Sequence, residues 1–78
     1  MQSRIGRTAI TEEDYDRAFK LVATYLKEAP SIKNQILREL TGLNYDQAIK
    51  FFARAVRARA LNKRGRGSGT HYVAPART

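Results

Sequence analysis

The 78 residues contain no cysteine, which excludes disulfides and thiolate zinc sites. Tryptophan is also absent, and His71 is the one histidine, so a metal site would rest on carboxylates alone. No apolar run approaches the roughly 20 residues that a membrane-spanning helix needs. The opening MQSRIGRTAI lacks the apolar core of about 7–15 residues that marks a secretory signal. The expectation is a soluble cytoplasmic protein of a prokaryote or virus, with no membrane partner. The most informative shortage is of acid. Beyond Asp46 there is no Asp or Glu, while Lys50, Arg54, Arg57, Arg59, Lys63, Arg64, Arg66 and Arg77 supply eight cations. Residues 1–46 carry seven basic and seven acidic side chains. The whole formal charge of +8 therefore belongs to residues 47–78, and so segregated a basic surface points to a polyanionic partner.

What is present fits one small domain. A hydrophobic content of 42% suffices for a packed core and argues against wholesale disorder. Residues 1–10, with Arg4 and Arg7, read as an N-terminal arm. Thr11 then opens a helix: Thr11-Glu12-Glu13-Asp14 has capping-box form, and acids at 12, 13, 14 and 16 suit the positive end of a helix dipole. Tyr15, Phe19, Val22 and Leu26 make its inward stripe, widened by Ala18 and Leu21, until Pro30 stops the helix. Ser31 reads as the cap of a second helix, with Ile32, Ile36, Leu37 and Leu40 inward. Gly42 supplies a left-handed cap, Leu43 plugs the core, and Asn44 with Gln47 forms the capping box of a third helix.

That third helix is expected over Tyr45–Ala60, with Ile49, Phe52, Ala53, Val56 and Ala60 as its buried stripe. Phe52 should lie between the three helices. Phe51 falls nearly opposite, beside Ala48, Ala55 and Ala58. It reads equally as a second packed face or as a surface for a protein or a thymine methyl. Gln47, Lys50, Arg54 and Arg57 lie on other faces and present amide and cationic groups outward. Leu61–Lys63 and Thr70–Ala74 read as strands joined by the flexible tip Arg64-Gly-Arg-Gly-Ser-Gly69, and residues 75–78 as a tail.

The stretch ILRELTGLNYDQAIKFFARAVRARAL followed by NKRGRGSGTHYVA resembles the winged helix-turn-helix family. The resemblance covers residues 11–74 and implies a mainly α fold of three helices with a small β-hairpin, the wing. In that family a Gly-Leu-polar turn, matched by Gly42-Leu43-Asn44, leads into the recognition helix. A Gly-Leu or Gly-Ile pair usually leads on into the wing. Ala60-Leu61 stands there instead, so the helix is expected to run slightly further. The resemblance implies double-stranded DNA as partner, with the recognition helix in the major groove. Tyr45, Gln47 and Lys50 would then face base edges, with Arg54 further along, and Asn44 and Arg57 would also contact the DNA. Ser31, Lys33 and Asn34 would contact phosphate. Lys63, Arg64, Arg66 and Ser68 would form the wing's contacts with backbone or minor groove. A nucleoid-associated regulator of transcription, acting as a homodimer, is the expected role.

Two other readings stand beside it. One is a nucleic-acid-binding protein without sequence preference, for RNA or chromosome packing. The other is a protein-interaction module using Phe51 and its alanines. An enzyme is not expected, and neither is a cofactor or small-molecule substrate. No nucleophile is spaced with a base, and GRGSG lacks the strand-then-helix setting of a phosphate-binding loop.

Overall fold

In the computed structural model, which describes residues 10–75, Thr11 opens the first helix. Its Oγ1 accepts the Asp14 backbone N–H at 3.0 Å. Helix α1 (Glu12–Leu26) follows, with Glu12, Glu13 and Asp14 in its first turn. Ala18 and Val22 are buried and Tyr15, Phe19 and Leu26 half-buried, but Leu21 is exposed. Ile10 packs against the core, so the folded unit starts one residue before the expected boundary. The rest of the arm and residues 76–78 lie outside the described residues.

Ser31 does not cap the second helix. It stays in extended chain that carries Ile32 into an antiparallel bridge with Tyr72. The Ile32 N–H donates to the Tyr72 carbonyl at 2.9 Å, and the Tyr72 N–H donates back to the Ile32 carbonyl at 2.9 Å. A β-branched side chain suits extended backbone. Here Ile32 is 1% exposed, so its backbone groups need protein partners. Helix α2 (Asn34–Thr41) begins after Lys33, whose side chain makes no cap hydrogen bond. Leu37 is buried and Ile36 half-buried, but Leu40 is exposed.

The connection to the third helix follows the sequence closely. Gly42 takes φ 81°, Leu43 is buried, and the Leu43 N–H donates to Thr41 Oγ1 at 3.1 Å. Asn44 Oδ1 accepts the Gln47 N–H at 2.7 Å, while Gln47 Oε1 accepts the Asn44 N–H at 3.0 Å. This capping box starts helix α3 (Tyr45–Arg57).

The buried face of α3 differs from the expected one. It consists of Ala48, Phe51, Phe52 and Ala55, whereas Ile49 and Ala53 are exposed and Val56 half-buried. Ala48 and Ala55 bring backbones close, and Phe51 meets α1, its ring 5.1 Å from Tyr15 and 6.5 Å from Phe19. Phe51 is core, so a protein contact built on Phe51, Ala48 and Ala55 has no exposed surface to use. Phe52 is also buried, as expected, with its ring stacked on Tyr72 at 3.8 Å and 4°.

Helix α3 stops earlier than expected. The Ala60 N–H donates to the Ala55 carbonyl at 2.8 Å, and the Arg59 N–H to the Val56 carbonyl at 3.0 Å. These are the paired bonds of a Schellman cap, which wants a left-handed residue just past the helix. Arg59 fills that place with φ 63°. Leu61, 2% exposed, anchors the chain beyond it. A non-glycine residue there costs about 1–2 kcal/mol, partly offset by the greater unfolded-chain freedom of glycine. Arg59→Gly should therefore stabilise the protein by about 0.5–1 kcal/mol, a rise of a few degrees in Tm for a domain of this size. Thermal unfolding followed by circular dichroism checks it.

Strands β1 (Asn62–Arg64) and β2 (His71–Val73) pair antiparallel in the register Asn62↔Val73, Lys63↔Tyr72 and Arg64↔His71. Strand β1 lies one residue later than the expected Leu61–Lys63, and β2 is one residue shorter at each end than the expected Thr70–Ala74. Three helices and this hairpin make a winged-helix layout. The Ile32 bridge and the Phe52–Tyr72 stack tie the hairpin to α2 and α3.

A candidate nucleic-acid interface

Because successive helical residues turn by about 100°, the burial pattern fixes what α3 shows to solvent. The outward arc runs Tyr45, Val56, Ile49, Ala53, Asp46, Arg57, Lys50. One side of the arc is apolar and the other charged. The apolar side faces the hairpin: Tyr45 and Ile49 line a cleft of about 490 Å³ together with Lys33, Asn34, Lys63, Ser68, Thr70 and Tyr72. The start of α2, the start of α3 and the wing therefore meet around one opening. Burial of the Tyr72 phenol, then the neighbouring Tyr45, pushes its pKa upward.

The expected contact residues divide into those at this face and those held elsewhere. Lys33, Asn34, Tyr45, Lys63 and Ser68 line the cleft. Lys50 and Arg57 are exposed on the charged side of the arc, and Arg64 and Arg66 are exposed on the wing. Asn44 and Gln47 are joined to each other in the capping box, which ties the amide that was to read adenine. Ser31 is half-buried in the bridge segment and is not at a helix start. Asn34 Oδ1 accepts Arg38 Nε at 2.6 Å.

Arg54 faces α1 rather than the cleft. Its guanidinium lies 4.0 Å from the centre of the Tyr15 ring, and its Nη2 donates to Glu12 Oε1 and Oε2 at 2.7 and 2.6 Å. The hydrogen bond from Arg54, then its charge, holds the Glu12 carboxyl below its ordinary pKa. The same pairing raises that of Arg54. Arg54 thus clamps α3 to α1. With the core at Ala48, Phe51, Phe52 and Ala55, one residue round from the expected stripe, Arg54 turns onto Tyr15.

Two residues at the face were not anticipated. The sequence pattern puts Ile49 in the core, yet it is 44% exposed beside Tyr45 at 57%. Arg38, with its carbon Cζ 5.4 Å from the centre of the Tyr45 ring, props that ring from α2. Asn34 holds Arg38 in turn.

The wing tip is a closed loop rather than a loose one. The Gly69 N–H donates to the Arg66 carbonyl at 3.0 Å and the Thr70 N–H to the Gly67 carbonyl at 3.2 Å. His71 Nδ1 donates to the Gly69 carbonyl at 2.8 Å. Gly65, at φ 73°, passes so close that a Cβ there would lie 2.5 Å from the Gly69 carbonyl oxygen. Gly65→Ala should therefore spring the tip open, at about 1–2 kcal/mol for the left-handed backbone alone. Hydrogen exchange should show lost protection in β1 and β2 with α1 protection retained. Unchanged hairpin protection would refute the closed tip.

Among the described residues, no helix is long and apolar enough to cross a membrane, and no group of three or more His, Asp or Glu side chains is arranged to hold a metal ion. Comparison with protein-family models, with curated proteins and with solved structures finds no match.

Proposed function

We propose that this protein is a small sequence-specific double-stranded DNA-binding protein acting in transcription regulation. The observation that carries the reading is the confinement of the net positive charge to residues 47–78, combined with the exposure of Lys50, Arg57, Lys63, Arg64 and Arg66 on α3 and the wing. The major groove admits an α-helix, and the outward arc of α3 is its exposed face. In this reading α3 enters the groove, Lys50 and Arg57 carry the charged side of the contact, Lys33 neutralises a phosphate, and the wing lies along the backbone. Arg54, Asn44 and Gln47 hold the helix in place instead of touching bases. One module covers few base pairs, so the reading includes two copies on a two-fold site.

In vitro selection from a random duplex library tests this. The selected duplex should be bound far more tightly than random duplex at about 0.15 M salt, with a two-to-one stoichiometry by sedimentation. Equal affinity for both would leave nucleic-acid binding without sequence preference. No binding to either at low salt would reject the reading.

A further inference from the structure

We infer that Tyr45 and Ile49 form an apolar reader of thymine methyl groups, which makes the α3 face selective for DNA over RNA. This rests on the DNA-binding reading above. These are the most exposed large hydrophobic residues described, at 57% and 44%, ahead of Leu21 and Leu40 at 37% each. They stand one turn apart on α3 and line one cleft. Arg38 backs the Tyr45 ring.

The setting decides which partner suits it. The cleft is rimmed by Lys33 and Lys63, and Lys50 and Arg57 lie further round the same exposed arc. Surrounding cations favour a polyanion, and an apolar protein surface does not need them. A phosphate backbone, however, offers nothing apolar to an isoleucine. In the major groove the apolar group on natural bases is the C5 methyl of thymine. The amide best suited to hydrogen-bond adenine, Gln47, is engaged in the helix cap, and beside it Tyr45 and Ile49 present apolar surface. RNA supplies neither partner: uracil lacks the methyl, and the A-form major groove is too narrow for side chains to read. The site read by α3 should therefore contain thymine where Tyr45 and Ile49 lie, with Ile49 as the more discriminating contact.

The test uses the duplex obtained by selection, remade with deoxyuridine in place of thymine, first throughout and then position by position. Each methyl removed from an apolar contact should weaken wild-type binding about fourfold, at one or two positions, with no effect elsewhere. Ile49→Ala, at an exposed position, should keep its folded circular dichroism spectrum and bind the thymine and deoxyuridine duplexes alike at the position that it reads. Undiminished wild-type affinity for the fully substituted duplex would overturn the inference while leaving sequence-specific DNA binding intact. Failure to obtain any preferred duplex would instead remove the sequence-specific reading, and this inference with it. A wild type insensitive to deoxyuridine that sediments as a dimer, with Ile49→Ala a monomer, would mark the pair as a contact between copies and also overturn it.

Discussion

Phe51→Ala should remove a large share of the stability of this protein, whereas Ile49→Ala, two positions earlier on the same helix, should cost about 1 kcal/mol or less. Phe51 is 0% exposed and touches the Tyr15, Phe19 and Phe52 rings, with centroids 5.1, 6.5 and 5.4 Å away. Truncating a buried phenylalanine costs about 3–5 kcal/mol, because the surroundings collapse only partly into the space. A 78-residue chain has about 4–12 kcal/mol in total. The cavity would open between α1 and α3, where the Phe51 ring fills the space beside Tyr15 and Phe19. Thermal unfolding should show Phe51→Ala melting at least about 15 °C lower, or without a cooperative transition. Ile49→Ala should melt near the wild type. If the two variants ranked in the opposite order, the described packing of α3 would be wrong by one residue.

That residue is where sequence and structure part. Two patterns with the same helical spacing overlap in α3, Ile49-Phe52-Ala53-Val56 and Ala48-Phe51-Phe52-Ala55. Hydropathy favours the first, because isoleucine and valine outweigh two alanines. The structure uses the second, because it buries two rings, Phe51 against the α1 aromatics Tyr15 and Phe19 and Phe52 against Tyr72. The capping box at Asn44 and Gln47, the left-handed Gly42 and the Thr11 cap were all legible, since each depends on a few adjacent residues. Non-local pairings were not. Nothing near Ile32 announces Tyr72, forty residues away, yet their bridge pulls Ser31 and Ile32 out of α2. Likewise Glu12 reads as a helix-dipole residue, and its partner Arg54 becomes evident only once α3 is turned correctly. The same turn moves Ile49 from core to surface. The basic wing was legible as charge and glycine, while its closure by Gly65 and His71 depends on three-dimensional geometry.

The DNA-binding reading makes its largest prediction at the wing. Lys63, Arg64 and Arg66 are exposed, and none forms a salt bridge among the described residues. Changing all three to glutamine leaves the backbone pairing of β1 and β2 available, so the melting temperature should stay close to that of wild type. If each cation neutralises one phosphate, the slope of log affinity against log salt should fall in magnitude by about 2.7, at about 0.9 per contact. At about 0.15 M salt this amounts to a loss of roughly a hundredfold. The loss should be similar on selected and random duplex, because phosphate contacts carry no sequence information. Arg54→Gln should behave in the reverse way, lowering the melting temperature through its lost clamp on Glu12 and Tyr15 with the salt slope unchanged. A triple variant with an unaltered slope would take the wing off the DNA. Arg66→Lys then separates two modes of wing contact. A narrow A·T-rich minor groove attracts an inserted arginine, and in that mode lysine should fail to restore binding on sites with A·T-rich flanks. If Arg66 touches only phosphates, lysine should substitute fully whatever the flanks.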